Sequence, residues 1–173
     1  MKSRHSILFL TVAASAAACV SEPTTIPDTL DPGPKETLAM IVPAKGVQIY
    51  ECRAKKDAAS LEWAFVAPDA ELFDARGHLI GRHGAGPYWE ASDGSRGVGT
   101  LKARAEAPIA GSIPWLLLAT KGTGPAGSFS KVTSIQRVNT SGGMPPSTPC
   151  TPELLGRKAR VDYVATYRFF VAN

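Results

Sequence analysis

The sequence predicts an all-β domain, a single antiparallel β-sandwich or flattened barrel of about 8–10 strands. Three observations carry that expectation. Short apolar runs are punctuated throughout by Gly, Pro, Asp and Ser, with 16 glycines and 14 prolines in 173 residues. Residues 99–106 and 161–171 alternate side-chain character at period two, as half-buried strands do. Helical spacing is confined to one marginal stretch, residues 152–160.

The first strand signal is VQIYEC at residues 47–52, rich in β-formers, and the second is the alternating LEWAFV at 61–66. Residues 71–74 and 78–80 flank Ala75-Arg76-Gly77, a loop of hairpin length whose glycine admits positive φ. Tyr88-Trp89-Glu90 then runs into the turn Ser92-Asp93-Gly94-Ser95. In the next strand Gly99, Leu101, Ala103 and Ala105 are expected on one face, with Thr100, Lys102, Arg104 and Glu106 on the other. IPWLLLA at 113–119 is apolar on both faces and so central, with Pro114 at its start, where a missing N–H is tolerated. Residues 129–138 supply a further strand. In the last, Val161, Tyr163, Ala165, Tyr167, Phe169 and Val171 share one face. Most connections are too short for crossovers, which implies antiparallel pairing.

Residues 1–18 read as an export leader: Lys2 and Arg4, a short apolar core at 7–12, then small residues. The apolar core is too short to remain as a membrane span. Ala16-Ala17-Ala18-Cys19 resembles a lipobox with alanine in the usual leucine position, so that Cys19 becomes a lipidated first residue. Plain cleavage after A-x-A, giving a secreted chain, is the alternative. Residues 19–38, rich in proline and poor in large apolar groups, are expected as a tether, and 39–173 as the single β domain. The expected setting is a bacterial cell envelope, facing periplasm or surface, with the membrane as partner through Cys19.

Three cysteines are an odd count for an exported chain unless lipid consumes Cys19. Cys52 and Cys150 are then expected to pair as a disulfide, the alternative being two buried thiols. No C-x-x-C or H-x-x-x-H spacing offers a zinc site. His78 and His83 are five apart and leave opposite faces of a regular strand. A metal between them would need a bulge at Gly81 and carboxylates such as Asp74 or Glu90, so no metal is expected. Of the formal charge of +4, Lys2 and Arg4 supply two positives that leave with the leader. The near-balanced remainder has no basic cluster, which excludes a nucleic-acid role. No glycine fingerprint follows a strand and no β-α units alternate, so no dinucleotide cofactor is expected.

The stretch GRHGAGPYWEASDGSRG, residues 81–97, concentrates the candidate chemistry. His83, Asp93 and Ser95 are the residue types of a hydrolase triad. However, Asp93 stands where a nucleophile elbow needs glycine, and Asp-Gly-Ser is fully explained as a turn. Tyr88 and Trp89, after Pro87 and near His83, suit the rim of a site for a sugar-like or small amphipathic ligand, although Trp89 also suits a core. Gln136 and Arg137 add polar groups to an otherwise apolar strand, and a buried Arg137 would need a carboxylate such as Glu90 or Asp93.

A wider set of segments resembles a known family. They are Gln48-Ile49-Tyr50 with Cys52; Gly81, His83, Gly86, Pro87 and Trp89; Asp93-Gly94-Ser95; Ile113-Pro114-Trp115-Leu116-Leu117; Val132-Thr133 with Ile135 through Thr140; Gly142-Gly143; Cys150; and Tyr163, Ala165, Tyr167 and Phe169. Together they resemble DUF3455, a domain-of-unknown-function family of exported bacterial and fungal proteins. The resemblance implies an exported all-β domain and carries no activity. The expected function is a non-enzymatic binding or envelope module for a small molecule, glycan or protein. A hydrolase using His83 and Asp93 is the alternative, and a purely structural envelope protein the third.

Overall fold

The computed structural model describes residues 25–56 and 59–173. The leader and Cys19 lie outside the described residues. Eight strands form one closed antiparallel barrel in simple sequence order: β1 (Glu36–Ala54), β2 (Leu61–Phe73), β3 (Leu79–Gly84), β4 (Tyr88–Ala91), β5 (Arg96–Ala105), β6 (Trp115–Gly122), β7 (Val132–Gly142) and β8 (Lys158–Ala172). Each strand pairs with the next, and β1 closes the ring by pairing with β8 from Glu36 to Glu51. Closure removes the free edges that an open sheet would expose. The all-β, antiparallel expectation is met in its barrel form.

The hairpin turns form where their residues require. Asp74 Oδ1 accepts the amide hydrogens of Arg76 and His78, and Gly77 takes φ +83°. Gly94 takes φ +82° in the β4–β5 turn. In β8, Tyr163, Ala165, Tyr167 and Phe169 point into the barrel as the alternation predicts. The interior core also takes Val42, Ala44, Leu72, Trp89, Leu118 and Ile135 from neighbouring strands. Gly99 is required at its place: a Cβ there would lie 2.8 Å from the Trp89 ring.

Strand β6 is buried on both faces, and the reason lies in the N-terminal segment. Leu116 and Leu118 serve the interior, whereas Trp115 and Leu117 face outward under Leu30. Leu30 is 0% exposed, ends a 3-10 turn at Asp28–Leu30, and packs with Val138 as well. Its carbonyl accepts the Gln136 Nε2 hydrogen at 2.5 Å. The tether expected to residue 38 therefore needs correction at its C-terminal part. Residues 26–30 are docked on the barrel and β1 already begins at Glu36, because one leucine on a proline-stiffened segment finds an apolar floor.

Two local expectations also fail. A register shift between Leu101 and Ala103 interrupts β5, so Ala103 and Ala105 join the outer cluster while Leu101 is 57% exposed. Residues 152–160 form only a 3-10 turn, Pro152–Leu154, before β8 starts. Cys52 and Cys150 form a disulfide across 98 positions. A closure of that length is worth about 4–5 kcal/mol in the chain-entropy model. It pins the proline-rich segment before Cys150 to the sheet, where Trp63 Nε1 donates to the Thr148 carbonyl at 2.9 Å.

Candidate functional site

His83 on β3 and Trp89 on β4 are directly opposed across an antiparallel pair. Both side chains therefore point the same way, into the barrel, and their rings stack at 4.4 Å between centroids, 14° from parallel. Tyr167 from β8 meets both edge-on, at 5.1 Å and 5.5 Å. Register brings Arg137 to the same wall. It lies opposite Leu116 on one side and Tyr167 on the other, so all three share the inner face.

These groups border a cavity of about 190 Å³ at the barrel end that carries the β3–β4 loop. Its walls are His83, Trp89, Leu116, Leu118, Tyr167 and Arg137, and Gly86 and Pro87 from the loop close over one side. Phe65 and Val66, 52% and 43% exposed, stand at its rim with Pro68. The lining is mainly apolar with a few convergent polar groups, which is the makeup of small-molecule sites.

The polar groups have defined states. His83 Nδ1 lies 2.7 Å from the Tyr88 carbonyl, and since a carbonyl only accepts, Nδ1 carries the proton and Nε2 a lone pair. Burial pushes the His83 pKa down to about 3; the Tyr88 bond opposes this and the positive charge of Arg137 adds to it. His83 is thus neutral at physiological pH. Tyr167 is held above the ordinary tyrosine range by burial, against the lowering influence of Arg137. Its hydroxyl lies 3.3 Å from that of Tyr163, whose pKa burial likewise raises. The enclosed Trp89 Nε1 has no hydrogen-bond partner among the described residues.

Arg137 does not find the carboxylate expected for it. Nε and Nη2 donate to one acceptor, the Pro114 carbonyl, at 3.1 Å and 2.9 Å. Glu90 instead lies 3.6 Å from Arg96, and Asp93 is engaged elsewhere. Among the described residues Arg137 makes no ion pair.

The remaining candidates separate. Asp93 Oδ1 accepts the Ser95 amide and hydroxyl hydrogens, and Oδ2 accepts those of Ser128. These bonds, the Ser95 hydroxyl foremost, hold its carboxyl well below the usual carboxylate range. Ser95 Oγ in turn accepts the Phe129 amide hydrogen. Asp93 and Ser95 thereby clamp the β4–β5 turn to the segment before β7. They lie beyond the far end of β4 from His83, roughly 10 Å along the strand. No triad is assembled. Tyr88 supplies its carbonyl to His83, while its ring turns away beneath the Arg96 guanidinium, 3.8 Å from the centroid. Gln136 points outward to Leu30, since adjacent strand residues take opposite faces.

His78 is exposed and bonded to Asp74 at 3.0 Å, and no cluster of three metal-ligating side chains occurs among the described residues. Sequence reasoning missed Leu116, Leu118 and Tyr167 as cavity walls. The available signal was period two within each strand, but joining them required the cross-strand register.

No curated protein and no solved structure matches the chain. The family model described as a protein of unknown function, DUF3455, matches residues 32–171, nearly the whole of the folded part, and the chain belongs to that family.

Proposed function

We propose that this protein is an envelope-tethered, non-enzymatic binding module that holds one small apolar molecule in the mouth of its barrel. The observation that carries this reading is the open cavity itself. It has a stacked His83–Trp89 pair and two leucines as walls, and exposed Phe65 and Val66 at its rim. A space of about 190 Å³ is slightly larger than the roughly 150 Å³ cavity that admits a benzene ring. One substituted ring or a short acyl chain fits it. Export and lipidation at Cys19 are part of the proposal and are supported by the leader, the lipobox-like Ala16–Cys19 and the disulfide.

Thermal unfolding with a panel of single-ring and short acyl compounds tests the binding. A ligand at a hundred times its Kd is expected to stabilise the fold by about 2.7 kcal/mol. Leu116→Trp, which fills the cavity, should abolish the shift. Equal shifts in both proteins would place binding elsewhere, and no shift from any compound would refute the cavity as a site. Mass spectrometry of the mature chain tests the anchor: an unmodified chain lacking Cys19 refutes it.

A further inference from the structure

We infer that the ligand of this cavity is a small apolar monocarboxylate whose carboxylate sits on the free end of the Arg137 guanidinium. The inference rests on the cavity being a ligand site, as proposed above, and adds the ligand's charge and head group. Three observations lead to it.

Arg137 projects from β7 into an otherwise apolar wall and has no acidic partner among the described residues. A partly buried guanidinium without a counter-ion is an unbalanced charge, which an incoming anion would neutralise. Its orientation is also set. The hydrogens on Nε and one on Nη2 converge on the Pro114 carbonyl, which fixes the plane of the group from one edge. A guanidinium has five N–H donors, so the Nη1–Nη2 end keeps the others. Nη1 makes no bond of good geometry among the described residues; the Tyr167 hydroxyl, a neutral phenol close enough to Arg137 to interact with it, is the one polar neighbour an incoming carboxylate would meet there. Two parallel donors on a preset plane match the two oxygens of a carboxylate. Finally, nothing else in the cavity is positive, because burial, with the charge of Arg137 adding to it, holds His83 neutral against the opposing pull of its Tyr88 bond. One fixed positive charge balances one negative charge. A phosphate dianion would bring a second, uncompensated charge among apolar walls.

The experiment is a fluorescence titration at pH 7, with Trp89 in the wall as reporter. The probes are benzoate, phenylacetate and hexanoate, each beside its neutral carboxamide, with phenyl phosphate as a further arm. At least one carboxylate is expected to bind ten-fold or more tightly than its amide, and phenyl phosphate more weakly than benzoate. Arg137→Gln, which still has a donor for Pro114, should bring the acid-to-amide ratio close to one, with the larger loss on the acid.

Should Arg137→Gln fail to fold, Arg137→Lys takes its place. It keeps the charge but loses the paired donors, and should shrink the ratio at least three-fold. Amides that bind wild type as tightly as the acids overturn the inference while leaving the cavity a ligand site. So does a ratio unchanged in the Arg137 variant that folds, or phenyl phosphate binding more tightly than benzoate. If neither acids nor amides bind wild type, the cavity reading itself fails and the inference falls with it.

Discussion

The two faces of the β6–β7 pair make an instructive contrast. On the outer face Trp115, Leu117 and Val138 form an apolar floor interrupted by Gln136. On the inner face Leu116 and Leu118 form another, interrupted by Arg137. The outer floor is sealed by the chain's own Leu30, whose carbonyl satisfies the Gln136 amide nitrogen. The inner floor at the barrel mouth is left open, and its arginine has only a carbonyl to hold. The strands, composition and alternation are the same. What differs is whether the chain supplies the covering segment. One apolar face is closed by the chain itself; the other stays open around an arginine without a counter-ion, which is the ground for the binding proposed above.

That contrast predicts opposite responses to perturbation. The largest effect is expected on the inner side on acidification. His83 titrates at its ordinary value of 6.5 when unfolded and at about 3 when folded. Between those values the unfolded chain binds a proton that the folded chain does not, so stability falls as pH drops. It is fully present above pH 6.5. Urea unfolding from pH 7 to 4 should show a loss of a few kcal/mol that largely vanishes in His83→Phe. An unchanged slope in that variant would show that His83 is not buried neutral.

Next in size is the seal. Leu30→Ala should cost about 2–4 kcal/mol by leaving a cavity over Trp115 and Leu117, with carboxylate binding unaltered. Altered binding in that variant would mean that the two faces are coupled. The smallest effect belongs to Leu116→Ala, at a half-buried inner wall, which should cost only about 1 kcal/mol. It should, however, shift the preferred ligand to a larger ring in the same titration. Destabilisation as large as that of Leu30→Ala would undo the distinction between sealed and open faces.

Much of the barrel is legible in the sequence because its signals are local and repeated. The β8 alternation, the doubly apolar run at 113–119 and the Asp- and Gly-bearing turns each need only their own residues to be read. What is not legible depends on single residues meeting distant ones. Leu30 is one apolar group among prolines, with no periodicity to announce its burial. The bulge after Leu101 leaves no local mark, yet it turns the rest of β5 over. In the site, His83 and Trp89 are close in sequence and come together across one hairpin. Arg137, Leu116 and Tyr167 come from three strands, and only the register unites them. Gln136 is the instructive miss. Its neighbour Arg137 lines the cavity, and on a strand that fact alone sends Gln136 to the other face.

The docking of Leu30 has one more consequence, for how far the protein can travel. Only six residues separate Cys19 from Ile26, the first of the described residues to pack on the barrel, and seven residue steps reach at most about 25 Å. With the lipid proposed at Cys19, that length would keep the barrel close to the membrane surface. Under that proposal its mouth would sample a thin layer beside the bilayer and not the bulk of the compartment.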